Sequence, residues 1–187
     1  SIGATPITAN TLKNCVVING ANTSSAIVVT DDTGSAGTFN NIIVQNNDIK
    51  KAYIGIFTNA TVLAGNGANL MITQNKLDTS GANAIRLVGI YVQGADGSTV
   101  SNNSVGNFNS TDNENDTGIW LATGAVNTTV SSNTVTTLGY TGTGAFTAFG
   151  IRDSGGAIAS GNKVTANAVS GISTNGTATV YGIENSS

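Results

Sequence analysis

The chain has 187 residues, of which 39% are hydrophobic and only 9% charged, with 24 Gly, one Pro and a net charge of −3. That apolar content suffices for a core and excludes a disordered tail, while the scattered cations Lys13, Lys50, Lys51, Lys76, Arg86, Arg152 and Lys163 exclude the positive patch that nucleic-acid binding requires. No apolar run approaches the ~20 residues of a membrane-spanning helix, so no membrane insertion is expected.

A short unit recurs along the chain: an apolar residue, two polar residues, Asn, any residue, then an apolar residue. Leu12-Lys13-Asn14-Cys15-Val16-Val17 opens the series, with Cys15 in the Asn place, and Ala26-Ile27-Val28 follows it. Val44-Gln45-Asn46-Asn47-Asp48-Ile49 is followed by Gly55-Ile56-Phe57, and Ile72-Thr73-Gln74-Asn75-Lys76-Leu77 by Gly89-Ile90-Tyr91. Val100-Ser101-Asn102-Asn103-Ser104-Val105 precedes Gly118-Ile119-Trp120, and Val130-Ser131-Ser132-Asn133-Thr134-Val135 precedes Gly150-Ile151-Arg152. Ala159-Ser160-Gly161-Asn162-Lys163-Val164 reads as the last copy, closed by either Gly171-Ile172-Ser173 or Gly182-Ile183-Glu184. Steps along the Asn column are 32, 28, 28, 30 and 29 residues.

Two markers that keep one order through the chain define a structural repeat. The apolar residues fall in short β-branched runs broken by Gly and Asn, and no stretch holds a helical i, i+3, i+4, i+7 pattern. Short strands stacked turn on turn make a β-solenoid. Alternation along each strand places Val44, Ile49, Ile72, Leu77, Val100, Val105, Val130 and Val135 inside. Ile27, Ile56, Ile90, Ile119 and Ile151 make a second inward stack, and Asn47, Asn75, Asn103, Asn133 and Asn162 an internal ladder at one turn. Asn suits such a turn because it tolerates left-handed backbone, and its amide can bond the amide one rung away. Segments 106–117 and 136–149 are expected to leave the coil as loops.

These units resemble the parallel β-helix repeats of the pectin-lyase-like superfamily, over roughly residues 9–184. The resemblance implies an all-β, right-handed, single-stranded parallel β-helix of about six rungs of roughly 28–32 residues. One domain is expected over 1–187, as an excerpt or subunit of a longer solenoid or fibre. The superfamily includes lyases, hydrolases, epimerases, tailspikes, adhesins and non-catalytic surface modules, so the fold leaves the activity open.

The chain has no His, which excludes a Ser-His-Asp triad and any His-ligated metal. Asp31-Asp32 is similar to the paired aspartates of the polygalacturonase-like branch, but the accompanying Gly-His-Gly and Arg-Ile-Lys motifs are absent. The nearest match to a lyase's acid beside a base is Asp153 next to Arg152. No catalytic residue is therefore assigned. Acids cluster in Asp112-Asn113-Glu114-Asn115-Asp116-Thr117-Gly118, whose alternating oxygens suggest Ca²⁺ at Asp112, Glu114 and Asp116, although Gly falls one place late for a calcium loop. Asp31-Asp32 is a second, weaker candidate, and the fold itself requires no cofactor.

If each Ile of the Gly-Ile marker points inward, the next residue points outward. Val28, Phe57, Tyr91, Trp120 and Arg152 then line one face at ~4.8 Å spacing. Contiguous exposed aromatics mark a binding surface, so Phe57, Tyr91, Trp120 and Arg152 are the expected strip for a glycan or a lateral protein partner. Neither terminus carries a capping helix pattern, which suggests homotypic end-to-end contacts. The low-charge, Asn/Thr/Ser/Gly-rich composition points outside the cell. The reading is a non-catalytic extracellular structural or adhesive module that assembles into a filament. The alternative is a polysaccharide-binding or polysaccharide-degrading β-helix.

Overall fold

A computed structural model describes residues 6–21, 23–30, 35–155 and 160–186, the side chain of Asn109 excepted. It is an all-β parallel solenoid of about five turns, built mainly from three six-stranded parallel sheets. The first sheet takes Thr11–Lys13, Ile43–Gln45, Met71–Thr73, Thr99–Ser101, Thr129–Ser131 and Lys163–Thr165. The second takes Val16–Ile18, Asp48–Lys50, Lys76–Leu77, Ser104–Ser110, Thr134–Tyr140 and Ala168–Thr174. The third takes Ile27–Val29, Ile54–Asn59, Val88–Gln93, Asp116–Leu121, Ala148–Asp153 and Val180–Asn185. Ile7–Thr8 and Phe39–Asn40 form a further two-stranded pair.

The interior is one continuous apolar cluster. Every inward position expected from the alternation is buried, from Val44 and Ile49 to Val130 and Val135, as is the Ile27, Ile56, Ile90, Ile119, Ile151 stack. Burying each such side chain contributes about 1.5–3 kcal/mol. The Ile stack runs on to Ile183, which pairs with Ile151, so Gly182-Ile183 is the last marker.

The glycine of each marker has a packing reason. A Cβ on Gly55, Gly89, Gly118 or Gly150 would lie 2.4–2.5 Å from the side chain of Leu77, Val105, Val135 or Val169 respectively. It would also crowd the carbonyl oxygen of the glycine one rung on. The third strand of each turn therefore closes against the second at a point where only hydrogen fits.

The Asn ladder occupies the sharp corner between the first and second sheets. The backbone N–H and the Nδ2 of Asn47 both donate to Asn75 Oδ1, at 3.1 and 2.9 Å. Asn75 does the same to Asn103, and Asn103 to Asn133. Each amide also donates backwards to a strand carbonyl, Asn75 to Val44 O and Asn103 to Ile72 O. The Cys15 N–H donates to Asn47 Oδ1 at 3.0 Å, while its half-buried sulfur has only the Lys13 carbonyl as partner.

Three expectations need correction. Asn162 is not in the ladder: Asn133 donates to Asn167 Oδ1, and Val164 pairs with Val130, so the last copy is Val164-Thr165-Ala166-Asn167-Ala168-Val169. Asn162 sits one corner earlier, accepting from the Thr128 N–H and donating to Ala125 O and Asp153 Oδ1. The left-handed residue at the corner is the one before the ladder: Asn14, Asn46, Gln74, Asn102, Ser132 and Ala166 have φ of 52–59°. More than half of 106–117 and half of 136–149 are strand. Phe108, Leu138 and Ile172 pair across three turns and extend the core, leaving only 111–115 and 141–147 as loops.

Candidate functional site

The outer side of the third sheet carries an aromatic column, with the 112–116 acids beside it. Strand register puts Val28, Phe57, Tyr91, Trp120, Arg152 and Glu184 in one column, as the alternation requires. Phe57, Tyr91, Trp120 and Arg152 are half-buried there. Phe57 and Tyr91 stack nearly parallel, with centroids 5.1 Å apart and planes 13° apart. Their faces therefore cover one another rather than standing open. Trp120 is turned 85° to Tyr91 at the same separation, and its Nε1 donates to Ser154 Oγ at 2.8 Å. Arg152 lies 4.9 Å from the Trp120 ring centroid and 4.5 Å from that of Phe149, in the range of cation–π attraction, and its Nε donates to Glu184 at 2.9 Å.

The two loops wall this face. The Thr147 N–H donates to Asn115 Oδ1 at 2.8 Å, tying 141–147 to 111–115. Tyr140 and Phe146 meet edge to face at 5.4 Å, and the Gly144 N–H donates to the Tyr140 hydroxyl. Between loops and sheet lies an open groove of about 460 Å³, lined by Leu87, Asn113, Glu114, Asn115, Trp120 and Phe146, with Ala145. Leu87, Val88, Tyr140, Ala148 and Phe149 are also buried, apart from the main core cluster.

The acids of the 112–116 segment diverge. Asp112 accepts from Arg86, Glu114 accepts from the Tyr53 hydroxyl, and Asp116 is fully buried. Among the described residues no three His, Cys, Asp or Glu gather to hold a metal, so the expected Asp112, Glu114, Asp116 trio does not converge. Burial, with the Asp112 charge adding to it, pushes the Asp116 carboxyl up to about 8. Burial and the Glu114 carboxylate likewise raise the Tyr53 hydroxyl, and burial raises that of Tyr91.

Arg152 and Asp153 do not form an acid–base pair. Arg152 points outward onto the aromatics, whereas Asp153 is buried and accepts from Asn162 and the Gly155 N–H. Asp31-Asp32 lies outside the described residues. The partners that sequence reasoning missed are Phe146, Tyr53 and Arg86, which come from loops and turns outside the repeat. Comparison with protein-family models, with curated proteins and with solved structures finds no match.

Proposed function

We propose that the chain is a non-catalytic, extracellular structural or adhesive module that holds a glycan laterally in the Trp120–Phe146 groove. We infer further that it is a right-handed solenoid of the pectin-lyase-like kind. Crossovers between parallel strands of one sheet are right-handed in about 98% of cases, and the repeat resembles that superfamily. The observation that carries the function is the Trp120 ring, set edge-on to Tyr91 in an open groove that Asn113 and Asn115 also line. Aromatic rings pack on the apolar faces of sugar rings, and amides and carboxylates take their hydroxyls. An extracellular setting agrees with the low-charge composition.

Binding is favoured over cleavage because the groove is lined by one carboxylate, Glu114, which is already bonded to Tyr53. Glycoside hydrolysis ordinarily uses two carboxyl groups across the scissile bond. Pull-down on neutral and acidic polysaccharides tests the reading. Retention that Trp120→Ala abolishes is expected, and equal behaviour of wild type and variant contradicts it.

A filament is the second reading. Exposure of Leu12 in the first turn and of Ile183 in the last, both in inward columns, at 36 and 51%, favours end-to-end contact between copies. Each such joint would set Asn167 against Cys15 of the next copy, and a thiol is a weak acceptor. Light scattering over a concentration series decides it: growth into fibres supports stacking, and a constant single-chain mass removes it.

A further inference from the structure

A second concavity, of about 370 Å³, lies along the second sheet, away from the Trp120 groove. Its lining comes from four neighbouring turns, through Ser80, Asn107, Thr137 and Ser173 among others. Three turn-to-turn steps of ~4.8 Å make it a trough about 14 Å long that crosses the strands. Asn107, Thr137 and Gly171 hold the same place in three of those turns, each with left-handed backbone, at φ of 60, 55 and 64°. The strands bend there, which turns Phe108, Leu138 and Ile172 into the core. Asn107 Nδ2 donates to Asp78 O and so ties the Ser80–Gly81 turn to the bend. Asn and Gly take left-handed backbone readily, but a β-branched residue does so only under strain. Thr137 is the one β-branched residue in that conformation among those described. The core gains nothing from it, because Thr137 is exposed. Its hydroxyl has no hydrogen-bond partner among the described residues, nor have those of Ser80 and Ser173.

We propose that this trough binds a short run of a neutral, unbranched polysaccharide, held by hydrogen bonds rather than by stacking. Hydroxyls that both donate and accept match the hydroxyls of a sugar. Gly81, Gly139 and Gly171 leave backbone uncovered along the trough, so a sugar ring can lie close to it. No lining residue is charged, so an ionic ligand would find no counter-charge there. An added peptide strand needs a free sheet edge, whereas the strands that the trough crosses are already paired. The one aromatic in the lining, Phe108, is 2% exposed and offers no ring face. The trough shares no lining residue with the Trp120 groove, so the site stands whether or not that groove holds a glycan.

The test follows backbone amide NMR shifts of the whole chain carrying Trp120→Ala, which takes the groove out of play. The probes are soluble cello-, manno- and xylo-oligosaccharides, with galacturonan oligosaccharides as the charged comparison. Saturable shifts at the Ser80, Thr137 and Ser173 amides are expected with at least one neutral series, and none with galacturonan. Ser80→Trp, on an exposed turn, fills the trough and removes the shifts. Thr137→Gly takes the left-handed backbone without strain, so it should melt no lower than its parent. Loss of one hydroxyl contact should nonetheless weaken binding about fivefold. Should Trp120→Ala fail to fold, the wild-type chain serves, because shifts at these three amides are read separately from those around Trp120. No saturable shift there with any neutral series, equal shifts with galacturonan, or a Thr137→Gly variant that binds as tightly as its parent would overturn the proposal.

Discussion

At the residue scale, the ladder amides are the least replaceable polar groups in the chain. Asn103 Oδ1 accepts from the Asn75 N–H and Nδ2, and its own Nδ2 donates to Ile72 O and Asn133 Oδ1. Asn103→Ala leaves the buried Asn75 N–H without its acceptor and takes one bond each from Asn75 Nδ2, Ile72 O and Asn133 Oδ1, at roughly 1–3 kcal/mol for each group not rescued by water. A loss of about 3 kcal/mol or more in denaturant unfolding is expected, and a smaller one for Asn167→Ala, whose ladder bonds are only part-buried. Gly118→Ala tests the closure point. Its Cβ would meet Gly150 O and Val135 Cγ1 at 2.5 Å, and overpacking of this kind costs about 1–3 kcal/mol. Asp116 sets a pH dependence. Its carboxyl titrates near 8 when folded and at the ordinary 3.8 when unfolded, so the folded chain keeps a proton that the unfolded chain loses between those values. This group's contribution to stability is full below about pH 4 and lost as pH rises through about 8. Melting temperature should fall with pH over that window, and Asp116→Asn should flatten the slope.

At the element scale, the parts legible in the sequence are those that every turn repeats. Stacking in register forces the same residue kind into the same environment, so the inward Val/Ile columns, the Asn corner and the Gly-Ile closure could be read directly. The misplaced last copy shows the limit. Gly161-Asn162-Lys163-Val164 imitates the motif because Asn162 serves a neighbouring corner, and the true step from Asn133 to Asn167 is 34 residues, longer than any before it. The left-handed corner residue was hidden because Asn, Gln, Ser and Ala all occupy it. Segments 106–110 and 136–140 read as loop because they fall in the long intervals between the Asn and Gly-Ile markers. The left-handed Asn107 and Thr137 instead bend a continuing strand, so that Phe108 and Leu138 enter the core. Phe108 is 2% exposed, so Phe108→Ala should cost about 3–5 kcal/mol in denaturant unfolding. A loop residue in that position would cost almost nothing.

At the scale of the molecule, the coil is a repeated frame and the groove is local. Strands in neighbouring turns supply the pairing, as in other solenoids, so stability is distributed along the stack. The candidate site arises where two turns depart from the repeat, through loops 111–115 and 141–147. For that reason the aromatic column was legible in the sequence, while Phe146, Tyr53 and Arg86 were not. The column also proved to be less of an open strip than the alternation implies, because Phe57 and Tyr91 cover each other's faces and leave Trp120 as the turned ring.

Trp120 is the single tryptophan in the chain, so its fluorescence reports on the groove alone. The most direct measurement is a titration of that emission with soluble cello-, chito- and galacturonan oligosaccharides, with acrylamide quenching run alongside. A saturable change in emission with at least one series, together with protection from acrylamide, is the predicted result. Emission unchanged by every series, from a tryptophan that acrylamide reaches freely throughout, would contradict a lateral glycan site.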